Sequence, residues 1–119
     1  MYNRGEIWLA NLNAGKGTEP GKIRPVLIIQ CQDLLDVDHP STLIIPLTTN
    51  LIDAAEPLRL RIPAGGKLKK DSDLLIDQIR AIDNKRLIDG PLRVCPRPLM
   101  TQIDQCLMVF VPYVSLTHT

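Results

Sequence analysis

Glu19, Lys22, Arg24, Thr48 and Gln78 are side chains of the types that hold and polarise a phosphate, and each falls at or near the end of an apolar run. Arg24 is the centre of the group. It joins the loop Glu19-Pro20-Gly21-Lys22-Ile23 to the run Pro25-Val26-Leu27-Ile28-Ile29-Gln30, which reads as a buried strand opening on a proline that needs no ladder N–H. The residue before a proline is biased to extended φ/ψ, so the guanidinium leaves a stiff base. Its planar, permanently charged fork can grip two phosphate oxygens, and a hydroxyl beside it can donate to a third. A plainer reading stands beside this one: an arginine that caps a sheet end with its head in water, as most charged side chains do.

Other chemistries find little material. The histidines are His39, in a loop, and His118, near the end of the chain, and no His/Asp/Glu cluster has ligand spacing on one element, so neither a metal nor a cofactor is expected. Asp33, Asp36 and Asp38 follow no calcium-loop pattern and read as a solvated loop. A Ser-His-Asp triad fails for want of histidine. Gly15, Gly17 and Gly21 precede a strand, whereas the phosphate-cradling glycine motifs lead into a helix. Cys31, Cys95 and Cys106 are odd in number and lack C-x-x-C spacing, which suits reduced, mostly buried thiols in a cytosolic protein. With no apolar leader at the N-terminus and no run of membrane-spanning length, the expected location is the cytoplasm, with no membrane partner.

The elements that must position these residues are short. The chain of 119 residues reads as one domain, 1–119, and its 10 prolines cut it into pieces that favour a small β-rich barrel or sandwich over a helical bundle. A net charge of +1 leaves any nucleic-acid binding to a local patch. Glu6–Leu12 reads as the first strand, with Trp8 plugging the core, and Asn13–Lys22 as a long functional loop. Thr42–Leu47 is the third strand and delivers Thr48 and Thr49 to the sheet end, although such residues often only form turns. Pro57–Pro63 alternates, placing Leu58, Leu60 and Ile62 inward and a basic pair, Arg59 and Arg61, outward. Lys67-Leu68-Lys69-Lys70 is most simply a solvated loop, with a phosphate contact as the alternative. Ser72–Ile82 reads as a strand with a bulge or bend, Asp83–Leu87 as a turn or helical piece, and Leu92–Val94 as an edge strand. Leu99, Ile103, Cys106, Leu107 and Phe110 recur at helical spacing after Pro96 and Pro98, which suit a first turn.

Several of these segments together resemble the MazF/PemK family of bacterial toxin endoribonucleases. They are Arg4-Gly5-Glu6-Ile7-Trp8, Gly17-Thr18-Glu19-Pro20-Gly21-Lys22-Ile23-Arg24-Pro25, Pro46-Leu47-Thr48-Thr49, Asp71-Ser72, Asp77-Gln78-Ile79-Arg80-Ala81-Ile82-Asp83 and Met100–Leu107. The resemblance implies a mainly β (α+β) fold: a small SH3-like β-barrel with a packed C-terminal helix, usually a homodimer. It also implies metal-independent, sequence-specific cleavage of single-stranded RNA, and neutralisation by a cognate antitoxin. The family's catalytic arginine and threonine fall on Arg24 and Thr48, and its loop glutamate on Glu19. Thr18 and Pro20 depart from the usual serine and glutamine.

Metal-free RNA cleavage requires the 2′-OH to attack the adjacent phosphorus. Arg24 is then expected to clamp the phosphate and serve the leaving oxygen, Thr48 to donate to a non-bridging oxygen, and Glu19 to accept the proton. Lys22, Thr49, Ser72, Gln78 and Lys69 are expected to position the RNA strand. Two rivals remain at this stage: a non-catalytic barrel that binds RNA or peptide through Arg59 and Arg61, and a DNA-targeting, gyrase-poisoning toxin on a similar barrel.

Overall fold

A computed structural model describes residues 2–12 and 23–110. Among these residues seven strands, β1 (Glu6–Asn11), β2 (Ile23–Ile28), β3 (Ser41–Thr48), β4 (Arg59–Ile62), β5 (Ser72–Leu75), β6 (Arg80–Asp83) and β7 (Leu87–Val94), are accompanied by a short helix α1 (Gln32–Asp36), between β2 and β3, and followed by α2 (Arg97–Phe110). All pairings are antiparallel, in the order β4-β5-β3-β2-β1-β7, with β6 also on β3. The expected mainly β fold with a C-terminal helix is what the chain forms. Among the described residues the sheet is not closed into a full ring. Its ends are nonetheless drawn together by the segment after β4: Lys67 N donates to Leu92 O at 2.7 Å, and the Arg93 guanidinium donates to Pro63 O. The result is barrel-like.

The middle strands are apolar on both faces because both faces are covered. Ile7, Leu27 and Ile45 lie side by side in register on one face and pack with Leu47, Ile62, Leu74 and Ile76. Met100 and Ile103 of α2 close this core, with Leu99, Cys106 and Leu107 partly buried around them. Each such fully buried side chain contributes roughly 1.5–3 kcal/mol. On the opposite face Val26, Ile28 and Ile44 form a smaller cluster with Leu35 of α1, Ile82 and Leu87. Pro96 and Pro98 stand at the start of α2, where amides have no helical partner to lose.

Some expectations are corrected. Trp8 does not plug the core: it is half-buried on the smaller cluster, its ring edge-on to Tyr2 at 4.9 Å, and its Nε1 donates to Glu6 Oε1 at 3.0 Å. Leu58 is half-exposed before β4 begins, so only Leu60 and Ile62 face inward. Cys31 is exposed just ahead of α1, whereas Cys95 is buried and its thiol pushed up to about 11 by that burial. β2 starts at Ile23 rather than Pro25, because β1 continues to pair with it down to Asn11↔Ile23. The last strand starts at Leu87, upstream of Leu92, because its first half pairs with Leu9 and Ala10. The expected bend between Ser72 and Ile82 is a 3-10 turn, Ile76–Gln78, that separates β5 from β6.

Candidate active site

Two prolines open the sheet around Arg24. β2 and β3 pair from Ile28↔Ile44 to Val26↔Pro46 and no further. Hydrogen bonds alternate along an antiparallel ladder, and Ile29 N donates to Leu43 O at 3.0 Å, so the backbone nitrogen at position 25 is directed at β3. Pro25 has no hydrogen there, and the ladder stops. Pro46 does the same on the other edge of β3. That edge pairs with β6 through Ile44 and with β5 from Leu47 onward, and Pro46 falls between the two pairings, where the 3-10 turn passes. The strands part at these points, leaving a concavity on either side of Arg24.

The larger concavity, about 550 Å3, is bordered by Leu12, Arg24, Pro46, Leu75, Gln78, Ile79 and Arg80. The smaller, about 250 Å3, is bordered by Ile23, Arg24, Pro25, Leu47, Thr48, Thr49 and Ser72. Arg24 belongs to both. It stands on β2 opposite the fully buried Ala10, so its base is anchored while its side chain is exposed. An apolar floor with a cationic and amide rim suits a nucleotide, whose base takes the floor and whose phosphate takes the guanidinium.

Thr48, the last residue of β3, faces β5 in register with Asp73. Its Oγ1 accepts from Asn50 N at 3.1 Å, which fixes the oxygen and leaves the hydroxyl proton for another acceptor. Thr49 is exposed beside it. Ser72 is buried and its Oγ donates to Lys70 O at 3.1 Å, so it shapes the loop as well as bordering the cleft. Gln78 lies exposed at the end of the 3-10 turn on the far side of Arg24. Lys69 is exposed in the loop before β5 and borders neither concavity. Glu19 and Lys22, together with the rest of the loop from 13 to 22, lie outside the described residues.

The basic face expected on β4 is neutralised. Arg61 Nε donates to Asp73 Oδ1 at 2.8 Å and Arg61 Nη1 to Asp53 Oδ1 at 2.7 Å, while Arg59 Nη1 reaches Asp73 Oδ2 at 3.3 Å. The Arg61 hydrogen bond is the main influence holding the Asp73 carboxyl below its usual range, against the opposing effect of its burial. Asp73 is 1% exposed. A second residue absent from the expected site is Arg80, which shares the larger cleft with Arg24 and donates from Nη2 to Leu12 O at 3.2 Å. Its alternation with Gln78 in the sequence is the signal that points to it. Asp73 leaves no such trace.

A barrel-like β-fold with an arginine bordering two clefts and a hydroxyl bordering one of them is an arrangement suited to gripping a phosphodiester. Residues 3–111 match the family described as PemK-like, MazF-like toxin of type II toxin-antitoxin system. The chain is 33% identical to Endoribonuclease MazF of Staphylococcus epidermidis, over 99% of its own length and 98% of that protein's. It therefore belongs to the MazF/PemK family of type II toxins. Solved structures agree on the fold. A mycobacterial endoribonuclease in complex with its cognate antitoxin superposes with a TM-score of 0.73 at 18% identity, covering 94% of this chain and 96% of that one. A MazE-MazF structure from Deinococcus radiodurans gives 0.71 at 17% identity, over 92% and 94%.

Proposed function

We propose that this MazF/PemK toxin is an endoribonuclease that cuts single-stranded RNA at short sequence motifs, without a metal, by attack of the substrate's 2′-OH on the adjacent phosphorus. The observation that carries this reading is Arg24 standing between two clefts, with Thr48 and Thr49 at one and Gln78 and Arg80 at the other. A phosphate at Arg24 then places one flanking nucleotide in each cleft.

In the reaction the 2′-oxygen forms a bond to phosphorus and the bond to the 5′-oxygen breaks. The 2′-proton passes to a base, the role assigned to Glu19, because a permanently charged guanidinium cannot accept it. Arg24 neutralises the pentavalent oxyanion and hydrogen-bonds the departing 5′-oxygen, which takes up a proton from solvent as it leaves. Thr48 donates to a non-bridging oxygen with the proton that Asn50 N leaves free. Lys22, Thr49, Ser72, Gln78 and Lys69 align the strand. The nucleophile is tethered next to its target, so the geometry itself supplies much of the rate.

The partners follow the family. Neighbouring structures are described as MazE-MazF and as an endoribonuclease with its cognate antitoxin, and we extend that to this chain: an acidic antitoxin segment occupies the groove at Arg24. A homodimer is supported by apolar side chains left exposed on the edge strand and helix end, Ile88 and Val94 on β7 and Met108, Val109 and Phe110 on α2. The toxin acts in the cytoplasm; among the described residues no helix is long and apolar enough to cross a membrane.

The test is product chemistry. Cleaved RNA should carry a 2′,3′-cyclic phosphate and a 5′-OH, cleavage should persist in chelator, and one deoxy substitution 5′ to the cut should abolish it. Normal cleavage of the deoxy substrate, or 5′-phosphate ends by mass spectrometry, would mean that water is the nucleophile and that the mechanism is wrong.

A further inference from the structure

We infer that Asp73 and Arg59 are positioning residues that set the Thr48 hydroxyl through the backbone of Asn50. This deepens the function proposed above and rests on Thr48 being used there. The connection can be followed atom by atom. Thr48 Oγ1 is oriented by Asn50 N, at 3.1 Å. The other end of the same residue is fixed as well: Asn50 O accepts from Arg59 Nη1 at 2.8 Å. Arg59 Nη1 is in turn paired with Asp73 Oδ2 at 3.3 Å. Asp73 Oδ2 also accepts from Ile52 N at 2.9 Å, so one carboxylate oxygen ties down the chain two residues beyond Asn50.

The network is built to be rigid. Asp73 is buried on β5 and directly opposite Thr48 in register, so carboxylate and hydroxyl rise from neighbouring strands of one sheet. Arg61 holds the second oxygen of Asp73 at 2.8 Å and thereby prevents the carboxylate from rotating away from Arg59 and Ile52. The segment from 49 to 58 is otherwise without strand or helix, and nothing in its own backbone regularity would keep Asn50 N aimed at Thr48. A hydroxyl that must meet a transition-state oxygen needs such support, since displacement by about 1 Å can cost ~10²-fold in rate. The pair of arginines that looks from sequence like an RNA-binding face is thus tied into the protein's own ion pairs, where it serves geometry.

The experiment is a kinetic double-mutant cycle on the intact toxin, with a fluorogenic RNA containing its cleavage motif, combining Asp73→Asn with Thr48→Ala. Asp73→Asn should lower kcat by roughly 10- to 100-fold with KM changed by no more than about twofold. In the Thr48→Ala background it should have almost no further effect, because the group it positions is gone. Arg59→Gln, which removes the bond to Asn50 O while leaving Asp73 paired with Arg61, should behave in the same way and serves if Asp73→Asn does not fold. Losses that multiply in the double variants, or a KM rise in place of the kcat fall, overturn the positioning role. If Thr48→Ala alone keeps full activity, it is the use of Thr48 in the proposed reaction that fails.

Discussion

Gly90→Ala should destabilise the fold although it adds only one methyl group, at a position whose φ lies outside the left-handed region. The indole of Trp8 lies directly over Gly90: a Cβ there would stand 2.4 Å from Trp8 Cδ2, 2.6 Å from Cγ and 2.9 Å from Cε2. None of these distances is tolerable, so the ring must lift or β7 must move. β1 and β7 change register on both sides of Leu9, which concentrates the strain at a junction that is already irregular. Overpacking of this kind costs about 1–3 kcal/mol. A lifted ring would also give up the Trp8 Nε1 bond to Glu6 and the edge contact with Tyr2. Each is worth on the order of 1 kcal/mol in a half-buried setting. The expected total is therefore about 3–5 kcal/mol, or roughly 12–20 °C in Tm for a domain of this size. Trp8 is the chain's only tryptophan, so urea unfolding followed by its emission reads both the midpoint and the ring's surroundings. At fixed protein concentration the midpoint should fall with unchanged slope, the folded emission should shift to the red, and Trp8→Leu should remove most of the added cost. An unchanged midpoint and spectrum would refute the close packing of Trp8 on Gly90.

Arg24→Ala should reduce cleavage by about 10³-fold or more, and Arg24→Lys should recover little, since a point charge cannot reproduce two parallel hydrogen bonds; single-turnover kinetics on a short RNA would show it. Thr48→Ala should cost less, ~10²-fold, as one neutral donor is lost. Pro25→Ala returns an N–H aimed at β3 and lets the ladder grow past Val26, so activity should fall while thermal stability is kept or raised; equal loss of both would argue against the parted strands as the origin of the clefts. The Asp73 carboxyl is held low by Arg61 in the folded chain. Its contribution is complete above the ordinary carboxylate pKa of about 4 and disappears as pH falls through the lowered folded value. Urea midpoints at pH 5 and pH 3 should accordingly drop more for the parent than for Asp73→Asn.

Arg24 stood out in the sequence because a charged Gly/Pro loop meets an apolar run there, whereas Thr48, at a strand end where turn formers are common, owed its expected role to the family resemblance; the apolar runs at 26–29 and 43–47 needed no knowledge of their partners. α2 was legible for a similar reason, its stripe and its leading prolines being local. What escaped depends on pairing across the chain. Asp73 lies in the run Ser72-Asp73-Leu74-Leu75 with no local sign of burial, and only the register of β4 against β5, Arg61↔Asp73, brings its counter-ions to it. The same pairing turns Arg59 and Arg61 from a free basic patch into braces on Asp73. Trp8 needed the β1–β7 junction to reveal that it rests on a glycine rather than filling the core. The clefts themselves come from two missing amides, at Pro25 and Pro46, whose effect appears only when β3 is placed between its neighbours.

β3 is the one strand shared by the two halves of the sheet, bonded to β2 and β6 before Pro46 and to β5 after it. Arg24 is carried by the first half and Thr48 by the second. The distance between the two proposed reacting groups is consequently a property of how one half is angled on the other, with Pro46 as the crease. Ile45, beside Pro46 on β3, and Ile76, in the 3-10 turn, are both buried in the main core and border neither cleft, so changes there can alter that angle without altering a residue at the rim. Trimming either side chain by a methyl group would act as a fine adjustment of the jaw, and natural variation at such hidden positions offers a route to change turnover while every residue at the rim stays the same.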